Sequence, residues 1–272
     1  MVPKQKFVET NPRRGYAMLL MLIGSIVISF AGLAIRNIET ADNWQIIFYR
    51  SIAFALAVSL VLLFRYGKTA PQKIKGVGLQ GVIAAFFLAC ASISFLQAIT
   101  NTTVAATTFT LSSIPFLTAI MAWAFLGERI AKSTVLTIFI AAIGISIMFF
   151  QGLRSGSIYG NFMASLCAIG FSSYAIIIRR NNKIEMLPTL ILSSLIIMFV
   201  ALIYTWDNLL IIWNDLLFCF VIGGLLQATA NTLLILASRH LFAAELTLFM
   251  LLEFTLGPLW VWIFVSEMPS SW

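Results

Sequence analysis

Residues 246 to 265 read LTLFMLLEFTLGPLWVWIFV, twenty positions with one ionisable side chain, Glu253, near their centre. A bilayer core about 30 Å thick needs about 20 apolar residues of helix to cross it, at about 1.5 Å of rise per residue. The quoted run, which extends to about 242 to 265, meets that length. Eight others do so too, at about 15 to 35, 44 to 64, 77 to 99, 103 to 126, 133 to 151, 158 to 178, 187 to 205 and 216 to 237. The connections are too short for a separate soluble domain. The sequence therefore predicts an all-α membrane protein with nine transmembrane helices. Composition agrees, because 61% apolar and 10% charged residues lie far outside the range of soluble domains.

A net charge of +7 would point to nucleic acid in a soluble protein, but here position matters more than the total. With the N-terminus inside, fourteen of the seventeen Lys and Arg residues fall on one side of the membrane, from Lys4 to Arg239. Arg36 and Arg154 lie on the other side, together with the acids Glu39, Asp42, Asp207, Asp215 and Glu267, and Arg50 lies within a span. The positive-inside rule then gives a cytoplasmic N-terminus in a multi-pass inner (plasma) membrane protein. Its environment is the lipid bilayer, and no nucleic acid partner is expected. Cys90, Cys167 and Cys219 each sit alone in an apolar span and read as small core residues. The single histidine, His240, and the lack of a phosphate-binding glycine loop argue against an enzyme, a metal site or a bound cofactor.

An internal repeat organises the spans. Residues 98 to 128, AITNTTVAATTFTLSSIPFLTAIMAWAFLGE, align with residues 237 to 267, ASRHLFAAELTLFMLLEFTLGPLWVWIFVSE, at a constant offset of 139. Ala98 meets Ala237, Ala105 meets Ala244 and Glu128 meets Glu267, although identity is low. Residues 1 to 14 then form a cytoplasmic segment, 15 to 151 a first five-span repeat, and 158 to 272 a second repeat with four spans. An odd number of spans per repeat inverts the second relative to the first. Many secondary transporters place their substrate at the midplane between two such halves.

Four stretches carry a resemblance to a known family: FYRSIAF around Arg50, LGER at Leu126 to Arg129, GNFMASLCAIGFSSYAIIIRR from Gly160, and MLLE followed fourteen residues later by Glu267. In their order and spacing the chain resembles the EamA-type branch of the drug/metabolite transporter superfamily over nearly its whole length. The resemblance implies ten helices in two inverted five-helix repeats, a central cavity, and transport of small metabolites by alternating access. Two departures stand out. The family usually carries a proline directly after the ninth-span Glu, where this chain has Phe254 and only later Pro258. The family's tenth helix would follow SEMPSSW, where this sequence stops, so the expectation is a second repeat lacking its last helix or a sequence cut short of it.

Charges inside spans are functional candidates, because an ionised group at the bilayer centre costs about 2.5–3.5 kcal/mol even on the mildest scales. Arg50 lies about six residues into the second span, where it either snorkels outward or faces a cavity and binds a substrate anion. Glu253 is too deep to snorkel. It must be protonated, paired or hydrated, either as a proton-coupling site or amine contact, or as an interhelical hydrogen-bonding group. Gln97, Tyr174, Gln227 and Asn231 form a second tier, too polar to face lipid without partners. They would orient a substrate or bond between helices. Gly160, Ala164, Ala168 and Ser172 recur every fourth residue and predict a close helix contact, and Pro115 predicts a kink in the fourth span.

The expected function is secondary transport of a small organic metabolite, an amino acid or related compound, with efflux as the expected direction. Uptake of a nucleotide-like or sulfonium metabolite, or a non-transporting scaffold or receptor, are the alternatives. A face left uncovered by a tenth helix would also suit a homodimer.

Overall fold

A computed structural model of the chain describes residues 12–102, 104–127 and 158–265. The expected fifth span, Glu128 and Glu267 lie outside them. Among the described residues the protein is all-α, without strands. The helices are α1 (Pro12–Ser29), α2 (Ala31–Arg36), α3 (Asn43–Tyr66), α4 (Ala70–Lys75), α5 (Gly78–Asn101), α6 (Val104–Leu111), α7 (Ile114–Met121), α8 (Ile158–Arg180), α9 (Pro188–Thr205), α10 (Trp213–Phe220), α11 (Ala228–Ala237), α12 (Ala243–Leu248) and α13 (Met250–Val265). Two π-helical stretches, Ala122–Leu126 and Val221–Gln227, extend α7 and join α10 to α11.

Among the described residues, six helical units are long and apolar enough to cross a membrane: Arg13–Arg36, Asn43–Lys75, Gly78–Asn101, Ile158–Arg180, Pro188–Thr205 and Trp213–Ala237. The expected fourth and ninth spans are each interrupted. Pro115 lacks an N–H and its ring clashes with the carbonyl four residues back, so the helix breaks at Ser112–Ser113 between α6 and α7. Local hydroxyls satisfy the backbone there: Ser113 Oγ donates to the Thr110 carbonyl at 2.6 Å and Thr110 Oγ1 to the Ala106 carbonyl at 2.9 Å. The ninth span breaks at Phe249 without an adjacent proline. Two residues earlier, Thr247 Oγ1 donates back to the Ala244 carbonyl at 3.1 Å, a contact that bends helices.

Interhelical contact is led by α5 against α8, then α9 against α3 and against α5, α1 against α11, and α3 against the Val221–Gln227 stretch. α6 and α7 lie on α8, while α13 lies on α1 and α2. In a bilayer, helices associate through close small-residue contacts and polar bonds more than through water exclusion. The α8 seam does this. Gly160, Ala164, Ala168 and Ser172 are all buried, a Cβ on Gly160 would come within 2.6 Å of Thr102, and Ser172 Oγ donates to the Ile114 carbonyl at 3.2 Å. A larger apolar core joins α1, α3, α5, α8, α9 and α11 around Phe54, Leu62, Tyr174 and Leu190.

Polar staples close both ends of the bundle. At one end, Asp42 and Gln45 cap α3 reciprocally at 2.8 and 2.9 Å, and Gln45 Nε2 also donates to the Asn208 carbonyl at 2.8 Å. Trp44 stacks on Tyr204 at 4.2 Å, and Tyr49 donates its hydroxyl proton to the Leu209 carbonyl. At the other end, Glu185 accepts from the Tyr66 hydroxyl and from Arg239, while Glu245 in the first turn of α12 pairs with Arg14 of α1. Glu245 also accepts the Phe242 N–H at 3.1 Å, as expected of an acid at a helix start.

Asp215 was expected only as one of the acids on the outer side, but it is fully buried. Its carboxylate accepts from the N–H groups of Glu39, Thr40 and Ala41 at 2.9 to 3.0 Å and from Thr40 Oγ1 at 2.7 Å, which ties the loop after α2 to the start of α10. Asp215→Ala would orphan those donors and is expected to lower stability by about 2 kcal/mol. The check is the thermal unfolding midpoint of the detergent-purified protein. An unchanged midpoint would mean that the loop is held elsewhere.

Candidate functional site

Arg50 sits two turns into α3, on the helix that the Asp42–Gln45 cap and the Tyr49 bond hold in place. Only 6% of its surface is exposed, so it does not snorkel to the outer face. No acceptor or ion pair among the described residues meets its guanidinium. Its electrostatic neighbour is the thiol of Cys219 on α10. The backbone around it is tight: a Cβ on Gly223, in the π-helical stretch, would lie 2.1 Å from the Arg50 carbonyl oxygen. Glycine is what lets the two helices meet there.

Glu253 lies in the first turn of α13 and is half-buried. It likewise has no hydrogen bond or ion pair among the described residues. The thiol of Cys167 on α8 is close enough to feel its charge. Arg50 and Glu253 do not pair with each other. Each stands alone, against a different helix.

The second-tier residues separate further. Gln227 closes the π-helical stretch four residues beyond Gly223, and its side chain is partly exposed with no protein partner among the described residues. Asn231 turns its amide back onto the Gln227 carbonyl at 3.0 Å. Near the far end of α5, Gln97 accepts from Asn101 Nδ2 through its backbone oxygen at 2.8 Å and its side-chain oxygen at 3.4 Å. Tyr174 is fully buried in the main core with its ring edge on Phe171, and its hydroxyl makes no well-formed hydrogen bond. Of the expected site residues, Gln227 and Asn231 are the two that share a hydrogen bond among the described residues, while Arg50, Gln97, Tyr174 and Glu253 each lie on other helices.

Trp260 is an interhelical clasp: its indole N–H donates to Ser29 Oγ at 2.8 Å and its ring stacks on Phe30 at 4.9 Å. The paired glycines Gly223 and Gly224 carried no reading in the sequence, yet Gly223 sets the contact at Arg50. Their signal was two adjacent glycines inside a span. Glu185 was also missed, and its signal was an acid in an otherwise basic connection.

The model of the EamA-like transporter family matches residues 15–150, half of the chain. The chain belongs to the EamA-like transporter family. This family is part of the drug/metabolite transporter superfamily, so the EamA-like protein is a multi-pass membrane protein of a transporter class. A solved crystal structure matches it with a TM-score of 0.72 over 95% of this chain and 92% of its own, at 15% identity. That likeness concerns the fold alone. No curated protein matches in sequence.

Proposed function

We propose that this EamA-like protein is a secondary transporter of the cell inner membrane, its N-terminus cytoplasmic. It carries a small organic metabolite, an amino acid or related compound, outward by alternating access. The observation that carries this reading is the pair of lone charges in a transporter-family chain: Arg50 and Glu253, one on each half, neither with a protein partner among the described residues. A substrate carboxylate would complete the Arg50 guanidinium by a bidentate bond. Gln227, on the π-helical stretch that packs against α3, would orient it. Glu253 would take the proton or the substrate amine. Gln97, Tyr174 and Asn231 would contribute only in a conformation that opens their present burial and local bonds.

Helix contacts support the inverted repeat. Exchanging the halves pairs α1 with α8, α3 with α9, α5 with the α10–α11 unit, and α6–α7 with α12–α13. Under that exchange the α5–α8 contact becomes α1–α11, the α5–α9 contact becomes α3 with the π-helical stretch, and the contacts of α6 and α7 with α8 become those of α13 with α1. The α3–α9 contact maps onto itself. Tyr66, ending α3, reaches Glu185 just before α9, and Tyr204, in the last turn of α9, stacks on Trp44 at the start of α3.

The test is proteoliposome transport of amino acids first picked by thermal shift. Glu253→Gln is expected to abolish the dependence of transport on an imposed pH gradient while leaving substrate-induced thermal stabilisation in place. If transport and its pH dependence are both unchanged, Glu253 has no coupling role. Loss of the stabilisation itself would instead mark it as an amine contact.

A further inference from the structure

At the corner between α3 and α5, residues 65 to 75 read RYGKTAPQKIK, four cations and no acid. Two of the four converge on one aromatic ring. The Arg65 guanidinium carbon lies 5.5 Å and the Lys73 ammonium 5.6 Å from the Tyr66 ring centroid. Like charges gathered on one ring repel, and among the described residues no carboxylate pairs with either. The nearby acid, Glu185, is buried and already accepts from Tyr66, Arg239 and the Leu187 N–H. The chain turns sharply at both sides of the corner, with positive φ at Gly67 and Gly78, and this folds α4 back beside the end of α3.

Below the cations, two apolar ridges face outward. Leu60 and Phe64 on α3 are 53% and 89% exposed, and Leu79 and Val82 on α5 are 73% and 48% exposed. Spacings of three and four residues place each pair on one helix face. A dication at a helix end, flanked by two exposed apolar ridges running down the membrane-facing surface, has the form of a phospholipid: a phosphate at Arg65 and Lys73, with an acyl chain along the ridges.

We propose that this corner is a binding site for an anionic phospholipid, separate from the substrate site at Arg50. The phosphodiester bridges the guanidinium and the ammonium, which relieves their repulsion, and the attraction to an anionic leaflet acts on the same charges. Lipid bound here braces α4 and the end of α3, the helix that carries Arg50 at its other end.

Native mass spectrometry of the detergent-purified full chain tests this with phosphatidylglycerol, phosphatidylcholine and inorganic phosphate as probes. The wild type is expected to hold one phosphatidylglycerol under activation that strips phosphatidylcholine. The double variant Arg65→Gln, Lys73→Gln should bind it about thirtyfold more weakly, whereas Arg180→Gln, Lys183→Gln, which removes equal charge elsewhere at the same end, should not. The conservative pair Arg65→Lys, Lys73→Arg keeps both charges and should retain binding, and it also serves if the glutamine variant fails to fold. Equal retention of phosphatidylcholine, unchanged binding by the glutamine variant, or equal loss in the Arg180 and Lys183 control would overturn the proposal. Stabilisation by inorganic phosphate alone that matches the lipid would overturn the commitment to a lipid.

Discussion

Replacing Arg50 with leucine is expected to cut transport at least tenfold and, at the same time, to raise the thermal stability of the ligand-free protein. The two effects have opposite signs because one side chain has two roles. A buried guanidinium that no described residue pairs is destabilising, by about 2.5–3.5 kcal/mol on insertion scales, and the shorter, uncharged leucine removes that penalty. The same guanidinium makes charge-assisted bonds to a carboxylate worth about 1.5–3 kcal/mol, which corresponds to about ten- to a hundredfold in affinity. Arg50→Lys keeps the charge but not the planar fork, so it should remain as unstable as the wild type and still lose most transport. The measurement pairs the unfolding midpoint with uptake into proteoliposomes. A midpoint that falls in Arg50→Leu would mean that the arginine holds the fold together, and the substrate role would be lost with it.

Much of the fold was legible because membrane constraints are severe. Length and apolarity alone located α1 to α3, α5 and α8 through α11, and the lack of an N–H on Pro115 located the break between α6 and α7. The α8 seam was legible for the same kind of reason: four small residues at helical spacing have few uses other than close packing. What stayed hidden was direction. α3 is apolar on nearly every face, so its sequence gave the depth of Arg50 but not whether it pointed to lipid, outward or inward. Asp215 and Glu185 stayed hidden because their partners are backbone N–H groups and residues more than fifty positions away, which no local pattern records. The break at Phe249 had no proline to announce it. Gly223 and Gly224 were visible as letters, but the consequence of a missing Cβ depends on what lies opposite, and that is a tertiary fact.

That fact yields the second large effect. A methyl on Gly223 would lie 2.1 Å from the Arg50 carbonyl oxygen and 2.9 Å from its carbonyl carbon, whereas carbon and oxygen normally approach no closer than about 3.3 Å. Both obstacles are backbone, so no rotamer change relieves them, and α3 and the π-helical stretch must move apart by about 1 Å. Gly223→Ala should therefore destabilise the protein by about 3 kcal/mol and displace Arg50 enough to impair transport as well. Its neighbour is the control. A Cβ on Gly224 meets nothing nearer than the Ala53 carbonyl at 3.5 Å, an ordinary contact, and alanine is the better helix former, so Gly224→Ala should be neutral or mildly stabilising. Combining Gly223→Ala with Arg50→Leu separates backbone from side chain: the loss from Gly223→Ala should persist in the leucine background, because the carbonyl it strikes is still there. If leucine at position 50 instead rescues Gly223→Ala fully, the contact is with the arginine side chain, and the π-helical stretch is not a fixed wall of the Arg50 site.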